Sequence, residues 1–169
     1  MKPPSYKSIV VLILLLVSGS GYGQVKDKTF NMFLNAILTN KVKHVSVEEV
    51  TKSKVDYTFV DAREVNEYNV SHLKNSIFVG YDDFSMEGLK NIPKDRPIIV
   101  YCSVGKRSEK ITAKLKKSGY RNVSNLYGGI FEWVNQDHPV YDLQNKQTMN
   151  VHAFNKFWGR FVDKGNKVY

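Results

Sequence analysis

A chain of 169 residues with 42% hydrophobic content is long enough for one domain with a buried core. Its single cysteine, Cys102, excludes an internal disulfide and leaves any reactive thiol without a resolving partner in the same chain. Lysine and arginine outnumber aspartate and glutamate 25 to 16, a formal charge of +9, or +7 without the two lysines of residues 1–23. That balance attracts small anions, and no nucleic-acid-binding motif accompanies it.

Residues 1–23 have the layout of a signal peptide. Lys2 and Lys7 give a positive start, Ile9 to Val17 an apolar stretch of nine residues, and Ser18, Gly19, Ser20, Gly21 and Gly23 a small-residue end. As a helix the stretch reaches ~14 Å against a hydrocarbon core of about 30 Å, so it predicts a removable leader and no stable membrane anchor, with an uncleaved anchor as the lesser alternative. Cleavage is expected after Gly23, with Ser20 as second choice, and the mature protein is expected to be exported, periplasmic or secreted. Residues 24–42 form an extension in which Phe30, Phe33, Leu34, Ile37 and Leu38 recur at helical spacing, predicting an amphipathic helix over 28–40 packed on the domain.

The body, residues 43–140, alternates short strands and helices. Lys43 to Val45 reads as a first strand, followed by Ser46 as cap of a Val47–Ser53 helix with Glu48 and Glu49 in its first turn. Tyr57 to Val60 is a β-branched and aromatic second strand that ends at Asp61-Ala62-Arg63. A short helix from Glu64 to Asn69 precedes a third strand, Ile77–Val79, and Tyr81–Lys90 reads as a loop with one helical turn.

Pro97 to Cys102 is the central strand, an apolar run that fits a parallel sheet, with Cys102 where it ends. The loop Ser103, Val104, Gly105, Lys106, Arg107 follows. A basic helix is predicted from Ser108 to Lys117, its Ile111 and Leu115 at helical spacing. Ligands of such strand–loop–helix units bind outside the carboxyl ends of the strands. Gly105 can turn backbone N–H groups inward as a nest, and Lys106 and Arg107 add charge, an arrangement suited to a thiolate and an anionic substrate.

Val123–Leu126 is the last strand, and Tyr127-Gly128-Gly129 opens a helix carrying Phe131, Trp133 and Val134 that ends at His138-Pro139-Val140. In the tail, residues 141–169, Val151, Phe154, Phe157, Trp158, Phe161 and Val162 are apolar enough to pack on the domain; a surface for a partner or second copy is the alternative. His44, His72, His138 and His152 are scattered without ligand spacing, so neither a metal nor another cofactor is expected.

Three motifs stand in order: Asp61-x-Arg63 with Glu67, Tyr68, His72 and Leu73; Cys102-x-x-Gly105-x-Arg107-Ser108; and Leu126-x-Gly128-Gly129 with Trp133, Pro139 and Val140. Together they resemble the rhodanese (sulfurtransferase) family over about residues 43–140, with Ser71, Asn75 and Ser76 where the family has small Gly and Ala residues. The resemblance implies an α/β fold, a five-stranded parallel sheet flanked by helices on both faces, and a persulfide enzyme with Cys102 as nucleophile. It implies that Ser103, Val104, Gly105, Lys106, Arg107 and Ser108 form the substrate-binding loop. Ser103 and Ser108 would donate hydrogen bonds, and Lys106 and Arg107 would hold a donor's sulfonate.

Asp61, Arg63 and His72 would support the loop from behind, Asp61 nearest Cys102. His72 could form a Cys–His dyad, although the resemblance favours a hydrogen bond that holds a turn. The implied partners are a small anionic sulfur donor such as thiosulfate and an external thiol, cyanide or protein acceptor. Two alternatives stand beside it: a non-catalytic module that carries or senses a persulfide, and phosphatase or arsenate-reductase-like chemistry. Loops of the latter kind have five residues between Cys and Arg, whereas this one has four, Ser103 to Lys106.

Overall fold

The computed structural model describes residues 25–39 and 41–169, so the leader expected at residues 1–23 lies outside the described residues. The chain runs α1 (Lys28–Ile37), β1 (His44–Val45), α2 (Val47–Lys52), β2 (Thr58–Asp61), α3 (Val65–Val70) and β3 (Ile77–Phe78). It continues β4 (Ile98–Tyr101), α4 (Lys106–Lys117), β5 (Val123–Leu126) and α5 (Gly129–Asn135), with a 3-10 turn over Glu87–Leu89 before β4. Strands β1 to β5 form one sheet in the order β1-β5-β4-β2-β3, every pairing parallel.

All four residues of β4 are buried, and they serve two cores by turns, because successive strand side chains point to opposite faces. Ile98 and Val100 pack with Ile111 and Leu115 of α4, Val60 of β2 and Leu89. Ile99 and Tyr101 pack with Phe30 and Leu34 of α1, Val47 and Val50 of α2, and Ile130 and Phe131 of α5. The sheet is therefore covered by helices on both faces, as parallel sheets require. At α2 the predicted cap is a full capping box: Ser46 Oγ accepts from Glu49 N–H, and the Glu49 carboxylate accepts from Ser46 N–H at 2.7 Å.

The tail is structured. An antiparallel pair, β6 (Val140–Tyr141) with β7 (Gln147–Thr148), is followed by a parallel pair, β8 (Asn150–His152) with β9 (Asn166–Val168), and a 3-10 turn over Trp158–Phe161 lies between the latter two strands. Val151, Ala153 and Val162 are buried, and Phe161 stacks on Phe30 of α1 at 4.8 Å between ring centroids. The extension and the tail, distant in sequence, thus form one aromatic layer over the sheet face that carries Ile99 and Tyr101. Among the described residues no helix is long and apolar enough to cross a membrane.

One boundary differs from the sequence expectation and matters for chemistry. Helix α4 begins at Lys106, so Lys106, Arg107 and Ser108 are its first turn and the loop after Cys102 has only three residues, Ser103 to Gly105. Gly105 adopts φ +108°, a left-handed conformation closed to most side chains, and turns the chain directly from strand to helix.

Candidate active site

The carboxyl ends of β2, β4 and β5 lie side by side, bringing Asp61, Cys102 and Tyr127-Gly128-Gly129 to one edge of the sheet. Cys102 follows the last residue of β4, and its Sγ accepts a hydrogen bond from Gly105 N–H at 3.1 Å. The sulfur therefore faces the positive end of a 12-residue helix, where first-turn amides lack intrahelical partners.

The loop is held from behind with the Gly105 N–H turned toward the sulfur. Ile130 N–H donates to the Cys102 carbonyl at 2.9 Å and Phe131 N–H to the Ser103 carbonyl at 3.2 Å, so the amino end of α5 takes up the carbonyls the loop turns outward. Asn125 Nδ2 donates to the Gly105 carbonyl at 2.9 Å. Gly129 makes the first contact possible, because a Cβ there would lie 2.3 Å from the Cys102 carbonyl oxygen.

The predicted cation cradle has other occupants. Arg107 gives a bidentate pair of hydrogen bonds to Glu67, Nη1 to Oε2 at 2.5 Å and Nη2 to Oε1 at 2.7 Å. Ser103 Oγ sits in the same cluster, donating to Glu67 Oε1 and accepting from Arg107 Nη2, each at 2.9 Å. Lys106 Nζ donates to the Ile37 carbonyl at the end of α1, with Glu109 at 3.7 Å. Arg107 and Lys106, expected to hold a donor's sulfonate, thus already have protein partners, a buried carboxylate for Arg107 and a backbone carbonyl for Lys106, and Ser103 donates to a carboxylate. Ser108 Oγ, the other predicted donor, is buried on α4 with no hydrogen-bond partner among the described residues.

Glu67 ties α3 to the cysteine loop. Burial alone would push its carboxyl up, but the hydrogen bonds and charge of Arg107, with Arg63 behind, outweigh it and hold the group below the usual carboxylate range. Unfolded glutamate titrates near ~4.3, so this contribution to stability is complete above that pH and lost as pH falls through the lowered folded value. Acid unfolding followed by circular dichroism is expected to show Glu67→Gln with a shallower loss of stability below about pH 4 than the unsubstituted protein.

Asp61, Arg63 and His72 form a support some distance back. Asp61 lies in register with Tyr101, one residue before Cys102, and its carboxylate holds Arg63 at 2.7 Å from Oδ2 to Nη2. Arg63 is fully buried, also donates to the Ser71 carbonyl at 2.6 Å, and lies over the Tyr101 ring. Tyr101 Oη accepts from Leu73 N–H at 3.1 Å and donates to Ser76 Oγ at 3.0 Å, fastening the turn over 71–76 to the central strand. His72 Nδ1 faces the Tyr68 carbonyl at 3.1 Å, its ring stacks on Tyr68, and its backbone pairs with Tyr141, which is the turn-holding geometry and not a Cys–His dyad. From this segment it is Glu67 whose carboxylate reaches the loop.

Cys102 is only 1% exposed, yet it and Ser103 floor a cavity of about 240 Å³. Ile37 and Val104 form one wall and Phe154 and Trp158, from the tail, the other; Lys106 and Arg107 sit at the rim. Ile37, Phe154 and Trp158 escape a sequence reading of the site, since they lie far from Cys102 along the chain and match no motif. Glu67 carried one signal, an acid within the first motif. Among the described residues there is no group of three or more His, Cys, Asp or Glu side chains able to hold a metal ion.

In this parallel α/β domain the central strand delivers a cysteine to the amino end of a helix, an arrangement able to support thiol-based group transfer. The comparisons agree: the rhodanese-like domain family matches residues 46–136, and the chain belongs to that family. It is 37% identical over 116 residues to a tRNA uridine(34) hydroxylase of Hamiltonella defensa, covering 65% of this chain and 31% of that protein. It is 31% identical over 103 residues to the adenylyltransferase and sulfurtransferase uba4 of Ogataea parapolymorpha, covering 61% of this chain and 26% of that one. The chain therefore spans about a third or less of the length of these curated relatives. Among solved structures, a rhodanese-related protein from Thermoplasma volcanium superposes with TM-score 0.52 at 26% identity over 58% of this chain and 96% of that one. A thiosulfate sulfurtransferase from Pseudomonas aeruginosa shares the fold, with TM-score 0.56 at 18% identity over 77% of this chain and 25% of that one.

Proposed function

We propose that this protein moves sulfane sulfur from a donor to a thiophilic acceptor through a persulfide on Cys102, and that it works after export. The observation that carries the first part is the Cys102 sulfur at a cavity floor, hydrogen-bonded by Gly105 N–H at the amino end of α4. Family membership and the similarity to an adenylyltransferase and sulfurtransferase support the same chemistry. Export rests on the charge and apolar pattern of residues 1–23.

In the first step the Cys102 thiolate attacks the outer sulfur of the donor. A new S–S bond forms, the donor's S–S bond breaks, and the leaving group departs with the electron pair, as sulfite from thiosulfate or as a thiolate from an organic persulfide. The transferred sulfur rests as a persulfide against the amides at the start of α4. In the second step a thiolate or cyanide attacks that terminal sulfur and Cys102 leaves as thiolate. With no second cysteine in the chain, the acceptor is a separate molecule.

Exposure to a sulfane-sulfur donor is expected to add about 32 Da at Cys102, and cyanide to remove it as thiocyanate. Cys102→Ser is expected to lose both, with turnover down on the order of 10⁴-fold or more. Full thiocyanate production by that variant overturns the reading. The deep burial of Cys102 also suits a carrier that loads and unloads once per encounter; loading without multiple turnover in the same assay assigns that role.

A further inference from the structure

We infer that the donor this pocket selects is a persulfide on an apolar organic body about the size of a benzyl group, in preference to a free dianion such as thiosulfate. The inference rests on the persulfide chemistry proposed above and names the donor class for that site.

The charges at the rim are already matched. Among the described residues the cavity has two charged lining side chains, Lys106 and Arg107. Arg107 is held by Glu67, with Glu64 a further 4.0 Å contact. Lys106 is held by the Ile37 carbonyl, at the negative end of the α1 dipole, and by Glu109. Behind them Arg63 is matched by Asp61. A thiosulfate dianion would approach a thiolate past two cations already engaged by Glu67, Glu109 and the carboxyl end of α1, and sulfite would leave with the same two charges. An organic persulfide carries at most a single charge: in its protonated form, R–S–SH, Cys102 takes the outer sulfur with its proton, and R–S⁻ departs with a single charge.

The walls are apolar. Ile37, Val104, Phe154 and Trp158 surround the space above the sulfur. A cavity of about 150 Å³ accepts a benzene ring, so 240 Å³ accommodates an aryl or short alkyl group together with two sulfur atoms. Phe154 is placed there at a cost. Its φ of +63° is a left-handed conformation in which a bulky side chain is a genuine outlier, held by its N–H donating to His152 Nδ1 at 3.2 Å and by the Arg107 guanidinium over its ring. The tail thus holds an aromatic side chain, strained and half-exposed, as one side of the entrance.

The test is a donor series on the full purified protein with cyanide as common acceptor: thiosulfate, then methyl, propyl and benzyl persulfide, each corrected for the protein-free reaction. Cys102 loading is followed in parallel by intact mass. Expected is a rise in kcat/KM of about fourfold per buried methylene, with benzyl persulfide highest and thiosulfate at least about tenfold below it. Trp158→Ala and Phe154→Leu are expected to depress the benzyl donor about tenfold more than the methyl donor. A series flat in chain length, or thiosulfate equal to benzyl persulfide, overturns the donor assignment while leaving persulfide chemistry intact. Failure of every donor to load Cys102 overturns the persulfide chemistry, and the donor assignment with it.

Discussion

Asp61→Ala is expected to lower the unfolding free energy by about 3–5 kcal/mol, the penalty for leaving a buried charge without its partner. Asp61 and Arg63 are both fully buried, and among the described residues Arg63 Nη1 already lacks a hydrogen-bond partner and none stands ready to replace the lost carboxylate. Burial works against the guanidinium charge, and Asp61 more than offsets it, keeping Arg63 firmly protonated. Arg63 cannot escape by losing its proton, so the whole cost falls on the fold.

For a chain of this size the loss corresponds to a fall in Tm of roughly 6–20 °C by thermal melt. The double variant Asp61→Ala/Arg63→Met is expected to be less damaged than Asp61→Ala alone, because an apolar pair removes both charges together. A double variant as unstable as the single one would show that the pair is not coupled.

Gly129→Ala is expected to strike activity harder than stability. The added Cβ would sit 2.3 Å from the Cys102 carbonyl oxygen and 2.7 Å from the Ser103 carbonyl group, and these are backbone atoms that cannot rotate away. The residue also adopts φ +56°, which costs any L side chain about 1–2 kcal/mol. To accept the methyl group, the amino end of α5 must retreat from the cysteine loop. It then loses the hydrogen bonds from Ile130 and Phe131 that hold the loop's carbonyls outward.

A displacement of about 1 Å at a reacting centre costs on the order of 10²-fold in rate, so the rate of the 32 Da addition at Cys102 is expected to fall by that factor. Gly128→Ala is the companion measurement. The atoms nearest its Cβ would belong to Glu132 and Val25 and not to the cysteine loop, so its effect on the loading rate is expected to be smaller. Equal loading rates for the two variants would separate Gly129 from the positioning of the loop.

Much of this architecture was legible in the residues. Ile98 to Tyr101 is apolar, and Phe30 to Leu38 recurs at helical period; both patterns follow from local geometry and were realised as β4 and α1. The position of Cys102 at a strand end was equally legible, because a strand, a glycine able to take positive φ and a helix follow one another without a gap. The start of α4 was misplaced by two residues. Lys106 and Arg107 have good helix propensity, but their charge next to a glycine made them read as loop. The state of those charges was not legible, since Glu67 and Arg107 are 40 residues apart and only packing brings them within hydrogen-bond reach.

The sequence by itself determined the order of strands and helices over residues 43–140, the single cysteine and the glycines that let the chain turn around it. Each depends on neighbours a few residues away, through side-chain period and backbone freedom. Only the tertiary structure decided which acids neutralise Lys106 and Arg107, that Arg63 is enclosed with Asp61, and that Phe154 and Trp158 close over the sulfur. Those outcomes depend on segments meeting across the fold, where burial strengthens each pairing and no local pattern records the partner.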